Sequence, residues 1–488
     1  MHMNNEIRNL EPNNIWNRFA DLNAVPRPSK HEERVIEFMM DFGKALGLTT
    51  TKDAVGNVII KKPATSGMED RKTVILQSHL DMVHQKNADT EFDFSTQGIE
   101  MYVDGDWVRA KGTTLGADNG LGVATIMALL ESNEISHPPL EALFTIDEET
   151  GMTGAKGLKG GLLKGDVLLN LDTEDDDEID IGCAGGIDIT ATGKYGEETL
   201  PEDSIGYKIT VKGLSGGHSG MDIHKGLGNA NKIMNALLML GQQHVNLRVS
   251  EINGGGLRNA IPRESTALVV VNASESDKFN AMFQDWVQGL KKDFATIEPN
   301  LSIVATPSET SESLMEAQDQ QALLKAIKNA HNGVYAMSEA MEDLVETSNN
   351  IARVVVKNGT VKIACLTRSS VEAGKMELAN SLKGNFETAG YQVTLSGDYP
   401  GWDPNPDSDI LKLLQSKYVE LFKEQPNVVA CHAGLECGIL GQNYPDVDMI
   451  SFGPTIKGAH SPDERASISS LQKFWKFTLK ILEEIPKK

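Results

Sequence analysis

Short apolar runs that end in acids and histidines constrain this chain more than any other feature. Residues 57–60, 73–76, 142–146 and 166–170 each read as a buried strand. Between them, residues 121–130 carry Leu121, Ala124, Met127 and Leu129 on one stripe of helical period. Strands that alternate with helices stack as a sheet layered by helices, so a mixed α/β domain is expected. The runs stop at His79 and Asp81, at residues 147–150, and at Asp172 and Thr173. In open α/β sheets ligands gather at the carboxyl ends of strands, so these endings point to a site.

Near residue 190 the pattern changes. Residues 207–212 alternate strictly between apolar and polar, as a strand wet on one face does. A Gly-rich turn, a helix over about 229–240 and a strand at 266–271 continue this segment. Residues 352–356 and 361–366 flank Asn358-Gly359, a hairpin signal, and a helix is expected over 372–388. Beyond Tyr391 apolar runs return, and residues 468–484 read as an amphipathic helix. The expected organisation is therefore a discontinuous α/β domain of residues 1–187 and 396–488, interrupted by an α+β insertion over 188–395. At 488 residues the chain is long enough for both to have full cores.

The net charge of −23 opposes nucleic acid and anionic membranes as partners, because no basic face would release counterions there. No apolar run approaches the ~20 residues that a membrane helix needs. The opening residues have neither a basic segment nor an apolar one of signal-peptide type, and the four scattered cysteines suit a reducing compartment, so a cytoplasmic location is expected. Cys431 and Cys437 are close in sequence but read as buried thiols rather than ligands.

Chemistry concentrates in a few motifs. In Ser78-His79-Leu80-Asp81 a strand delivers a histidine and a carboxylate to one face, an arrangement in which the acid can orient a metal-binding imidazole. Gly116-Ala117-Asp118-Asn119-Gly120 opens a helix, where Asp118 by itself would be an N-cap. Asp147-Glu148-Glu149-Thr150-Gly151 places three acids after an apolar strand, and like charges gathered there repel unless a cation compensates them. Asn170-Leu171-Asp172 repeats the ending on another strand; the acids at 174–178 read as a solvated loop. Gly458-Ala459-His460 adds a histidine in a Gly-bounded loop. Two histidines with several carboxylates form a donor set suited to zinc or a similar divalent ion.

In order and context these motifs, with the Gly-rich 213–220 stretch, resemble the M20 family of metallopeptidases over nearly the whole chain. The resemblance is strongest to the aminoacyl-histidine dipeptidase (peptidase D, carnosinase-like) branch. It implies an α/β catalytic domain of the zinc-peptidase type interrupted by a lid. It further implies two divalent ions per chain, zinc with cobalt or manganese as alternatives. Asp118 would bridge them, His79 and Asp172 would complete one site, and Glu149 and His460 the other. Glu148 would be the general base, Asp81 would orient His79, His218 would stabilise the oxyanion, and the Asp118–Asn119 peptide would be cis. Arg258 and Arg368 are rivals for the substrate carboxylate, with Arg368 preferred. Asn259 lies in a similar substrate-holding segment, and Glu436 is a candidate for the substrate amine.

The implied reaction is hydrolysis of dipeptides, Xaa-His dipeptides such as β-Ala-His among them, and a homodimer is a candidate assembly. Alternatives are deacylation of N-acyl amino acids, broader aminopeptidase action, and a metal-binding protein without catalysis. The last leaves Glu148 without a purpose.

Overall fold

Every residue of the strand Val74–His79 is buried, because it pairs in parallel with Leu140–Thr145 on one side and Val167–Asn170 on the other. A strand covered on both faces needs a continuous apolar run, which is what these segments supply. This computed structural model describes residues 4–310, 313–432 and 434–488. The three strands and Asp448–Ser451 form the parallel centre of an eight-stranded sheet whose margins are antiparallel. From the middle strand the chain passes to its neighbour on one side, then crosses to its neighbour on the other. That reversal of strand order is where such sheets open a crevice at their carboxyl ends.

The helix Ala117–Glu131 packs on the middle strand and on the helix Asn13–Asn23. It is buried on nearly all sides, wider than the stripe expected from the sequence, because Gly120, Gly122, Ala124 and Ala128 let neighbours approach closely from every direction. Ile468–Glu484 is a helix as expected. Ser467 caps it by accepting from the Ser470 amide, and Leu471, Phe474, Phe477 and Ile481 bury one face. Burying each such side chain stabilises the fold by about 1.5–3 kcal/mol.

Contacts divide the chain into two compact units, one of residues 1–182, 404–430 and 435–488, the other of residues 183–403 and 431–434. The second unit is built on a nine-stranded sheet in which every described pairing is antiparallel. The hairpin Val345–Lys357/Thr360–Ser369 turns at Asn358 and Gly359, with φ of 52° and 69°. Two left-handed residues in succession match the twist of the flanking strands. The helices Ala230–Val245 and Glu372–Thr388 lie where the sequence places them, the first capped by the Asn229 side chain. Not expected from the sequence were Ser276–Asp293, Ala317–Asn329 and Asp409–Phe422. The first of these buries Phe279, Phe283 and Val287, with Met282, Trp286 and Leu290 partly buried beside them on the same face.

Candidate metal centre

The parallel strands bring their polar endings to one edge. His79 closes the middle strand, and its Nδ1 lies 3.4 Å from Asp81 Oδ1. Its Nε2 lies 3.2 Å from Asp118 Oδ1 and 3.5 Å from Asp172 Oδ1. Asp118 begins the buried helix, and its other oxygen, Oδ2, lies 3.1 Å from His460 Nε2. That same imidazole nitrogen is 3.0 Å from Glu149 Oε2. His460 and Glu464 sit on the hairpin loop between Ile456–Lys457 and Arg465–Ser467. Asp81 accepts from the amides of Glu148 at 3.0 Å and Glu149 at 3.3 Å, tying the acidic turn to the middle strand. The Asp118–Asn119 peptide is cis, and the Asn119 side chain donates to the Leu171 carbonyl and to Asp172.

Three groups of ligand atoms share this region: His79 with Asp118 and Asp172, Asp118 with Glu149 and His460, and His79 with Glu148 and Glu149, each group within 4.8 Å. Asp118 belongs to two of them through opposite oxygens, as a carboxylate shared by two cations would. Two donors each about 2.1 Å from a tetrahedral ion stand roughly 3.4 Å apart, close to the spacings here. Glu149 Oε1 is buried without a hydrogen-bond partner, a carboxylate oxygen aimed at nothing in the protein. The nitrogen and carboxylate donor set therefore fits a divalent metal.

The electrostatics agree. Burial opposes a charged His79, yet Asp172, Asp118 and Asp81 outweigh it and lift the imidazole well above its ordinary range. Hydrogen bonds donated to Asp118 and Glu149 push His460 up to about 11. Burial, with Asp172, Glu149 and Glu436 nearby, raises Glu148 well above the usual carboxylate range. Glu149 is raised by burial and by Asp118. Carboxyls whose proton affinity is raised by burial and by neighbouring acids mark a place where positive charge belongs.

Glu436 is fully buried and accepts from the Gln77 amide and the Thr145 hydroxyl, both at 2.6 Å. Burial pushes it up to about 8. Gln77 continues through Asn170 and Ser451 to Thr173, which donates to Asp180 at 2.7 Å. Burial pushes Asp180 up to about 7. A carboxyl whose folded-state pKa is raised contributes stability below its unfolded value and loses it as pH rises through the folded value. The metal-free protein should thus lose these contributions between about pH 4 and pH 8. Asp180→Asn should make that decline shallower in thermal melts across the range; an unchanged slope contradicts the assignment to Asp180.

Within the second unit, His218 Nδ1 accepts from the amides of Gly220 at 3.2 Å and Met221 at 3.1 Å. Those bonds leave Nε2 as the protonated nitrogen of the neutral ring. Burial and Arg368 hold His218 below its ordinary pKa, so near neutral pH it presents a fixed N–H donor. Gly220 is required there, since a Cβ would stand 2.1 Å from the His432 carbonyl oxygen. The Asn259 carbonyl accepts from the Ser219 amide, and its residue is exposed. Arg258 is committed to Asp188, Thr190 and the carbonyls of Ile189 and Cys365. Arg368 donates to Tyr399 at 2.9 Å while its buried Nε has no partner, so of the two rivals it keeps more capacity for a carboxylate.

Three residues near the centre carried no role in the sequence reading. Glu174 does not behave as part of a solvated loop: burial and the carboxylates of Asp118 and Asp172 push it up to about 8. Glu464 and Arg27 are buried and bind backbone groups around Asp118. A charged residue between two prolines, Pro26-Arg27-Pro28, was the only sign of the latter.

Known proteins resemble this chain along its full length. The chain is 42% identical over 483 residues to the cytosol non-specific dipeptidase of Escherichia coli (strain K12), covering 99% of this chain and 100% of the relative. The crystal structure of aminoacylhistidine dipeptidase from Vibrio alginolyticus superposes with a TM-score of 0.93 at 45% identity, covering 99% of this chain and 98% of that one. A tripeptidase from Staphylococcus aureus shares the fold at a TM-score of 0.56 and 17% identity, with 98% and 99% covered. Residues 75–484 match the family as a whole, and the chain belongs to Peptidase family M20/M25/M40.

Proposed function

We propose that this chain is a metal-dependent dipeptidase of the cytoplasm, acting on free-amine dipeptides that include Xaa-His, with two divalent ions, zinc foremost, held by His79, Asp118, Glu149, Asp172 and His460. The observation that carries this reading is Asp118, whose two oxygens face two different histidines at 3.2 and 3.1 Å. The similarity to two dipeptidases along the full chain supports the substrate class. The unit of residues 1–182, 404–430 and 435–488 is then the catalytic domain, and the other unit the lid.

A pair of divalent ions, when bound, lowers the pKa of water toward neutrality and polarises the scissile carbonyl. The residues do the rest. Asp81, held by two amides, orients His79 and keeps its Nε2 toward the ligand side. Burial works against its charge, but the hydrogen bond and charge of His79 keep Asp81 below the usual range, so it stays ionised. Glu148 takes a proton from the attacking water and passes it to the leaving amine. Its raised proton affinity suits that task once cations offset the crowding. The His218 N–H stabilises the developing oxyanion, Arg368 pairs with the substrate carboxylate, Asn259 lines the substrate, and Glu436 meets its amine.

A panel of β-Ala-His, Gly-His and Leu-Gly beside N-acetylated amino acids tests this reading. Turnover should be confined to the free-amine dipeptides; preference for the acylated amino acids would replace it with a deacylase.

A further inference from the structure

The turn that presents Asp118 is gripped by two buried charges that none of the roles above uses. The Glu464 carboxylate, 2% exposed, accepts four successive amides, those of Leu115 at 2.7 Å, Gly116 at 2.9 Å, Ala117 at 2.7 Å and Asp118 at 3.3 Å. The Arg27 guanidinium, 1% exposed, donates to the Gly116 carbonyl at 2.6 Å. Its other terminal nitrogen donates to the carbonyls of Leu80 at 3.1 Å and Asp81 at 3.2 Å. Asn23 accepts from Arg27 and itself donates to the Leu115 carbonyl at 2.9 Å. Gly116, at φ 71°, leaves the room: a Cβ there would stand 2.6 Å from the guanidinium.

Glu464 follows His460 by four residues on the same hairpin loop, and Arg27 holds the strand end that carries His79 and Asp81. The three segments that supply His79, Asp118 and His460 are therefore joined at these two side chains. Burying a charged group is unfavourable unless strong hydrogen bonds offset it; Glu464 devotes all four of its bonds to the turn, and Arg27 divides its own among the turn, Asn23 and the strand end. A carboxylate shared by two cations must be presented within about 0.5 Å of its working place, which a loose turn cannot do.

We propose that Arg27 and Glu464 are positioning residues of the metal centre, fixing the 115–118 turn so that Asp118 faces His79 and His460 at once. The inference rests on the two-metal reading above. Residues that merely stabilised the fold would shift the melting temperature and leave metal affinity unchanged.

The test uses cobalt(II) alone, added to chelator-stripped wild type, Arg27→Met, Arg27→Lys, Glu464→Gln and Glu464→Asp. Stoichiometry and affinity come from chelator competition, geometry from the cobalt absorption spectrum, and stability from melts of the metal-free proteins. Glu464→Gln and Arg27→Met should bind the second ion roughly 10–100-fold more weakly than wild type, with an altered spectrum, and Arg27→Lys should recover part of the loss. Variants that bind both ions with wild-type affinity and spectrum overturn the proposal, whatever their melting temperature. If the two larger changes prevent folding, Arg27→Lys and Glu464→Asp decide by the same criterion. A wild-type chain that binds fewer than two ions overturns the two-metal reading instead, so the two failures are distinguishable.

Discussion

Glu148→Gln should keep both metal ions while kcat falls by about 10²–10⁴-fold, the usual worth of a positioned general base. The amide preserves shape and the backbone bond from its own N–H to Asp81, which does not involve the side chain. What it loses is the ability to take a proton. Glu149, next in the chain, is the contrasting case: its Oε2 stands 3.0 Å from His460 and its Oε1 has no partner, so Glu149→Gln should release metal. Near-normal kcat in Glu148→Gln removes it as the base; loss of metal from that variant makes it a ligand.

The second large effect belongs to His218→Ala. Two backbone amides fix the ring so that Nε2 carries the hydrogen. One preorganised donor to an oxyanion is worth roughly 2.7–4 kcal/mol, or 10²–10³ in kcat. The variant should therefore lose about that much kcat, retain both ions and change KM little. Wild-type kcat would end the catalytic role. Mixing His218→Ala chains with Glu148→Gln chains also locates the donor. Recovered activity in mixed dimers means that the histidine serves a neighbouring chain, and no recovery despite proven mixing means that it serves its own.

Much of the centre was legible because the chemistry sits where secondary structure ends. His79, Asp118, Glu149, Asp172 and His460 each follow an apolar run or a glycine, and the parallel strands carry three of the endings to one edge. The hairpin at Asn358-Gly359 was legible for a local reason, since only a few dipeptides accept two positive φ values in succession. Arg27 and Glu464 were not legible, because their partners are backbone N–H and carbonyl groups. Every residue has those, so no side-chain pattern announces them. Glu174 was hidden by its neighbours: a half-buried acid near Asp118 and Asp172 within five successive acids looks like surface. The helix Ser276–Asp293 was legible in principle and was passed over, since Phe279, Met282, Phe283, Trp286, Val287 and Leu290 fall at helical spacing.

If two cations shared by Asp118 carry the activity, hydrolysis must follow metal content. The most direct test strips the protein with a chelator, then adds zinc in measured portions while following hydrolysis of Gly-His. Turnover should be negligible in the stripped protein, recover until it saturates at two zinc ions per chain, and fail to recover in Asp118→Ala at the same zinc concentrations. Full turnover in the stripped protein, saturation at a single ion, or normal recovery in Asp118→Ala would contradict the two-metal reading.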